Sequence, residues 1–114
     1  MFKGCKSLEY IEFPNVTAVE TEAFSGCSSL KGVSLPKLET LAGNSEFKDC
    51  TSLEEIDFPR ANVTNGYELF RGCSSLRRVN MPQLSSVGSK MFLDCISLEE
   101  VNISGATTIG SEGF

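Results

Sequence analysis

The chain contains no histidine and no tryptophan. Without histidine, Ser-His and Cys-His nucleophile pairs and imidazole metal sites are excluded together. Cations are scarce as well: Lys and Arg total 10 against 15 Asp and Glu, a net charge of −5. That balance argues against nucleic acid as a partner, because phosphate binding needs clustered positive charge. No apolar run approaches the roughly 20 residues of a membrane span, and no signal-peptide pattern opens the chain. Phosphate-loop, dinucleotide-binding and nucleophile-elbow patterns are missing, so no cofactor and no enzymatic activity are expected. The 114 residues are 40% hydrophobic and 22% charged, which suits a folded domain and not a disordered one.

Five cysteines remain, at 5, 27, 50, 73 and 95, separated by 22, 23, 23 and 22 residues. Other residues keep the same phase. Phe2, Phe24, Phe47, Phe70 and Phe92 stand three positions before each cysteine, and Phe114 begins a sixth copy. Ser7, Ser29, Ser52, Ser75 and Ser97 follow by two, with Leu8, Leu30, Leu53, Leu76 and Leu98 next to them. Then come Ile11, Val33, Ile56, Val79 and Val101, and after those Phe13, Leu35, Phe58, Met81 and Ile103. Pro14, Pro36, Pro59 and Pro82 close four copies, and Ser104 takes that place in the fifth. A looser half follows, in which Val16 and Val19 match Leu38 and Leu41, Leu84 and Val87, and Ala106 and Ile109. The copy around Ala61, Val63 and Thr64 fits worst. The longer copies carry their extra residue near Gly43-Asn44 and Asn65-Gly66, both turn-forming pairs.

Each unit predicts a short strand such as Ile11-Glu12-Phe13, ended by a proline that has no N–H for the ladder. Strands one period apart must stack in parallel, about 4.8 Å from one another. The second half returns the chain through a brief extended piece and a helical turn ending at Phe-x-x-Cys. Gly4, Gly26, Gly72, Asp49 and Asp94 precede the cysteines, where positive φ is expected. The serine column is expected to bond nearby backbone as the chain enters the strand. No single coil can bury its apolar columns, so the coils must stack into one continuous core.

The pattern F-x-x-C-x-S-L-x-x-[IV]-x-φ-P, running over residues 2–114, resembles the BspA-like leucine-rich repeat of about 23 residues. The resemblance implies a repeat solenoid of leucine-rich-repeat type, mainly β, with a short parallel sheet and brief helical turns. It also implies a single unit over 1–114 of about five repeats, starting near Phe2, Phe24, Phe47, Phe70 and Phe92. Members of the family are mostly large surface or secreted proteins associated with adhesion to host matrix proteins or other cells. An extracellular or cell-surface location and a protein or surface ligand are therefore expected. Ser104 in the proline position and the irregular third loop depart from the pattern.

The cysteine column reads best as a ladder of small buried hydrophobes. Disulfides between coils are conceivable at that spacing, but an odd count and the distortion of the stack disfavour them. Zinc is disfavoured by the lack of C-x-x-C and of histidine. The pairs Glu54-Glu55 and Glu99-Glu100 read as structure before chemistry. Down the stack Glu9, Lys31, Glu54, Arg77 and Glu99 alternate in sign, and Glu55, Arg78 and Glu100 do the same one column over. Cross-strand pairs of that kind contribute roughly 0.2–1 kcal/mol each.

The sheet face is still the natural binding surface of a solenoid. Its candidates are Tyr10, Glu12, Glu55, Asp57, Arg77, Arg78, Asn80 and Glu100, of which Tyr10 and the two arginines are the residue types favoured at interfaces. The alternative is a structural spacer that displays other domains. Three sequons, at Asn15, Asn62 and Asn102, carry glycans only in a eukaryotic secretory setting. Chain ends in the same repeat phase predict exposed apolar cross-sections, a fragment of a longer array without caps, and end-to-end self-association.

Overall fold

The computed structural model describes residues 2–41, 44–62, 67–110 and 112–114. Gly43, Val63, Thr64, Asn65 and Gly66, where the extra residues and the weakest copy were placed, lie outside the described residues. Nine short strands follow in chain order: β1 Tyr10–Glu12, β2 Ala18–Val19, β3 Gly32–Ser34, β4 Thr40–Leu41, β5 Glu55–Asp57, β6 Arg78–Asn80, β7 Ser86–Val87, β8 Glu100–Asn102 and β9 Thr108–Ile109. Five of them form one parallel sheet in the order β1-β3-β5-β6-β8. Register follows the repeat columns, with Ile11 opposite Val33, then Ile56, Val79 and Val101. β2 pairs with β4 and β7 with β9, also in parallel.

Proline stops the first four main strands as its chemistry requires. The residue before it still donates to the next coil, as Leu35 N–H does to the Asp57 carbonyl, and the ladder then ends. Proline also opens a tight turn, closed by Leu38 N–H to the Leu35 carbonyl and by its equivalents at Ala61 and Leu84. In the fifth coil the turn survives without proline: Ala106 N–H still reaches the Ile103 carbonyl. There Ser104 N–H donates to Asn102 Oδ1, a local side-chain bond that replaces what the ring would have fixed.

The expected helical turns are single i→i+3 turns, and no helix occurs among the described residues. Cys27 N–H donates to the Phe24 carbonyl and Leu30 N–H to the Cys27 carbonyl, a pair repeated at Cys50 and Cys73. These turns need a left-handed residue just before the cysteine. Gly4, Gly26, Asp49, Gly72 and Asp94 all have φ between 60° and 79°. A second left-handed column, Glu22, Ser45, Glu68, Lys90 and Glu112, was not signalled by glycine at all. Such residues are strained by roughly 1–2 kcal/mol each. At Glu22, Ser45 and Glu68 the conformation aims the N–H at the next coil, to the carbonyls of Asn44, Tyr67 and Ser89.

Inside, every coil contributes to one core. Leu30, Leu53 and Leu76 are fully buried, as are Leu35, Phe58 and Met81 in the column beside the prolines. Each such side chain contributes on the order of 1.5–3 kcal/mol on burial. The phenylalanines form an unbroken stack. Phe2, Phe24, Phe47, Phe70, Phe92 and Phe114 follow one another with ring centroids 5.1–5.5 Å apart and planes within 16° of parallel. That step exceeds the roughly 4.8 Å between strands, in keeping with a stack that bends toward its sheet.

Candidate functional site

Period-two alternation sends Ile11, Val33, Ile56 and Val79 into the core and their neighbours outward. The outward residues of all five strands line an open trough of about 800 Å³. Tyr10, Glu12, Glu55, Asp57, Arg78, Asn80 and Glu100 all lie in it. Arg77, the remaining candidate, stands one residue before β6 on the rim, outside the trough lining.

The charge columns close into ladders. Lys31 Nζ lies 3.6 Å from Glu9, and Arg77 Nε 2.9 Å from Glu99. Arg78 spans two acids, 2.8 Å from Glu55 and 4.0 Å from Glu100. In the next column Asn80 Nδ2 donates to Asp57 Oδ1 at 2.8 Å, and Asn102 Nδ2 to Asn80 Oδ1 at 2.9 Å. The hydrogen bond and charge of Arg77 hold the Glu99 carboxyl below the usual range, with Arg78 adding a smaller pull. A general acid needs the opposite direction, a carboxyl raised toward neutrality. These pairs are exposed, so each contributes little to stability.

Tyr10 occupies one end of the trough and is 71% exposed. Its ring leans over Gly32: a Cβ there would stand 3.3 Å from Tyr10 Cδ1. Asn102, a sequon asparagine, faces the same trough, whereas Asn15 accepts from Lys37 outside it. Asn62 Oδ1 accepts from both the N–H and the hydroxyl of Ser85, which ties the third coil's second half to the fourth.

All five cysteines are free, and none is placed in a metal-binding cluster among the described residues. Their column does more than fill space. Cys27, Cys50, Cys73 and Cys95 each donate S–H to a phenylalanine carbonyl of the preceding coil, at 3.1–3.2 Å. Phe24, Phe47 and Phe70 thus accept twice, from the cysteine N–H of their own coil and from the thiol of the next. Burial pushes Cys27 up and Cys95 up to about 12. Contact with the Cys50 thiol, then burial, raises Cys73 strongly. A spacing of 22 or 23 cannot tell a thiol that only packs from one that also donates. In the serine column, Ser97 donates to the Ser74 carbonyl at 2.7 Å.

Two buried acids on the far side escaped the sequence reading. Glu46 is 0% exposed and stands in the column of Ala23, Leu69 and Met91. Glu68 is also buried and pairs with Arg71 and, at 3.5 Å, with Lys48. The Arg71 hydrogen bond holds its carboxyl below the usual range. An acid in an otherwise apolar column was the available signal for Glu46.

The family model described as BspA type Leucine rich repeat region matches residues 1–114 in six copies. No curated protein and no solved structure matches the chain. Among the described residues no helix is long and apolar enough to cross a membrane.

Proposed function

Since the chain belongs to the BspA-type leucine-rich-repeat family, we propose that it is a non-catalytic protein-binding segment of a cell-surface or secreted protein, with the sheet face as its contact surface. One observation carries this reading: the trough runs across all five strands, so a single partner can touch every coil. Extended concave faces of this kind are how solenoids recognise ligands. Adhesion to matrix proteins or to other cells is the role that fits both the family and an open polar face.

The test is binding of the chain to immobilised extracellular-matrix proteins, with the triple variant Tyr10→Ala, Arg77→Ala, Arg78→Ala as comparison. Saturable binding that weakens by about tenfold or more supports the reading. Binding that ignores the three substitutions, or none on any matrix protein, favours the spacer role. That alternative draws support from the pairing of Lys31, Arg77 and Arg78 with neighbouring acids, which spends the cations of the face on the array itself. Ile109 and Phe114 are exposed in the final coil, and end-to-end association of the 114-residue chain belongs to the same proposal. Light scattering that finds only monomer across a wide concentration range removes that element.

A further inference from the structure

The excess negative charge is not spread evenly. The sheet face and its entering rim carry seven carboxylates (Glu9, Glu12, Glu54, Glu55, Asp57, Glu99 and Glu100) and three cations, a net of −4. The rest of the chain carries eight carboxylates and seven cations, a net of −1. Each of the three cations on the face already has a carboxylate of this chain beside it. The surplus is therefore anionic, and it includes Glu12 and Asp57 on the trough floor.

Register shows where the ladder lacks a cation. The fourth coil presents Arg77 and Arg78 side by side, whereas the second presents Lys31 and Gly32 at the same positions. Gly32 lies directly between Tyr10 on one side and Glu55 on the other. Two strand spacings separate the backbones of those two residues, roughly 10 Å, and the Tyr10 ring reaches across the first of them. The Tyr10 ring leans over Gly32, and no side chain rises from Gly32 between that ring and Glu55, a carboxylate that Arg78 approaches from the far side.

We propose that the trough takes an extended basic segment of a protein partner, with one arginine or lysine seated against the exposed face of the Tyr10 ring and beside the Glu55 carboxylate. The proposal rests on the binding role given above and adds the chemistry of the partner. The ring offers its face to the cation, and Glu55 offers an ion pair of the kind it already makes with Arg78. Glu12 and Asp57 add attraction that speeds encounter and repels acidic competitors.

The experiment selects short displayed peptides of unbiased composition on the immobilised 114-residue chain. Affinities of the selected peptides are then read by fluorescence anisotropy against the parent, Gly32→Arg and Glu55→Gln, each checked for an unchanged melting curve. Gly32→Arg supplies the missing cation from the chain itself. Glu55→Gln removes the carboxylate with little change of shape, and it decides the matter should Gly32→Arg fold poorly. Enrichment in Arg and Lys, with affinity falling about tenfold in either variant and falling steeply with salt, supports the proposal. Selected peptides that are neutral or acidic but lose affinity when Asn80 or Arg78 is replaced by alanine overturn the basic partner and leave the binding face standing. Failure to enrich any peptide that responds to substitutions on the face overturns both.

Discussion

Native-state alkylation tests whether the cysteine column is the packed, hydrogen-bonding ladder described above. The thiolate is the reactive species, so the rate follows the ionised fraction. Burial pushes the Cys95 thiol up to about 12, against an ordinary value of 9.0. Three units reduce the thiolate at pH 8 by about 1,000-fold relative to an unfolded cysteine. Cys73 is fully enclosed and raised strongly by the Cys50 thiol and by burial, so its reaction should wait for local opening. Iodoacetamide labelling at pH 8, native against concentrated urea, read peptide by peptide by mass spectrometry, gives the ratio directly. Cys5 and Cys95 are both half-buried, but the Cys95 thiol donates to the Phe70 carbonyl, so Cys5 should label first. Labelling of Cys73 or Cys95 within about tenfold of its rate in urea would refute the reasoning. The same shifts set a pH dependence. A raised folded value means the unfolded chain releases its protons first. The thiols' contribution is therefore complete below about pH 9 and is lost progressively as pH rises toward 12.

Four further outcomes are expected. Phe47→Ala opens a gap in the middle of the ring stack and should destabilise by about 3–5 kcal/mol in urea unfolding. Gly72→Ala should destabilise by about 1–2 kcal/mol, because its φ is 79° and the new Cβ would collide with the Asp49 carboxylate. Lys90→Gly should instead stabilise by up to about 1 kcal/mol in the same assay, since it relieves a left-handed non-glycine residue. Glu68 is held below the ordinary carboxylate range by Arg71, so its contribution is present above about pH 4.5 and lost as pH falls further. The stability gap between the parent and Glu68→Gln should accordingly shrink on acidification; a gap that widens would contradict the pairing.

Much of this molecule was legible because the repeat prints each structural slot five times. Strand register, the apolar columns and the alternating charges all follow from aligning the copies, and Gly32 opposite Glu55 is where alignment alone would have put it. What stayed hidden was information that side-chain type does not carry. Glu22 and Glu68 take left-handed conformations that aim their N–H groups at the next coil, not through any preference of glutamate. The thiol bonds depend on direction, which spacing cannot supply. Arg77 falls on the rim and not in the trough because β6 begins one residue later, at Arg78.

Coil-to-coil bonding of one uniform pattern also constrains how such a gene can change length. A whole coil of 22 or 23 residues could be duplicated or lost while each remaining strand kept an equivalent neighbour. A single residue gained or lost inside Tyr10–Glu12 or its equivalents would instead turn every following side chain of that strand from core to solvent. Variation among relatives should therefore come as entire repeats, or as single residues confined to the return half, where the 23-residue copies already carry theirs.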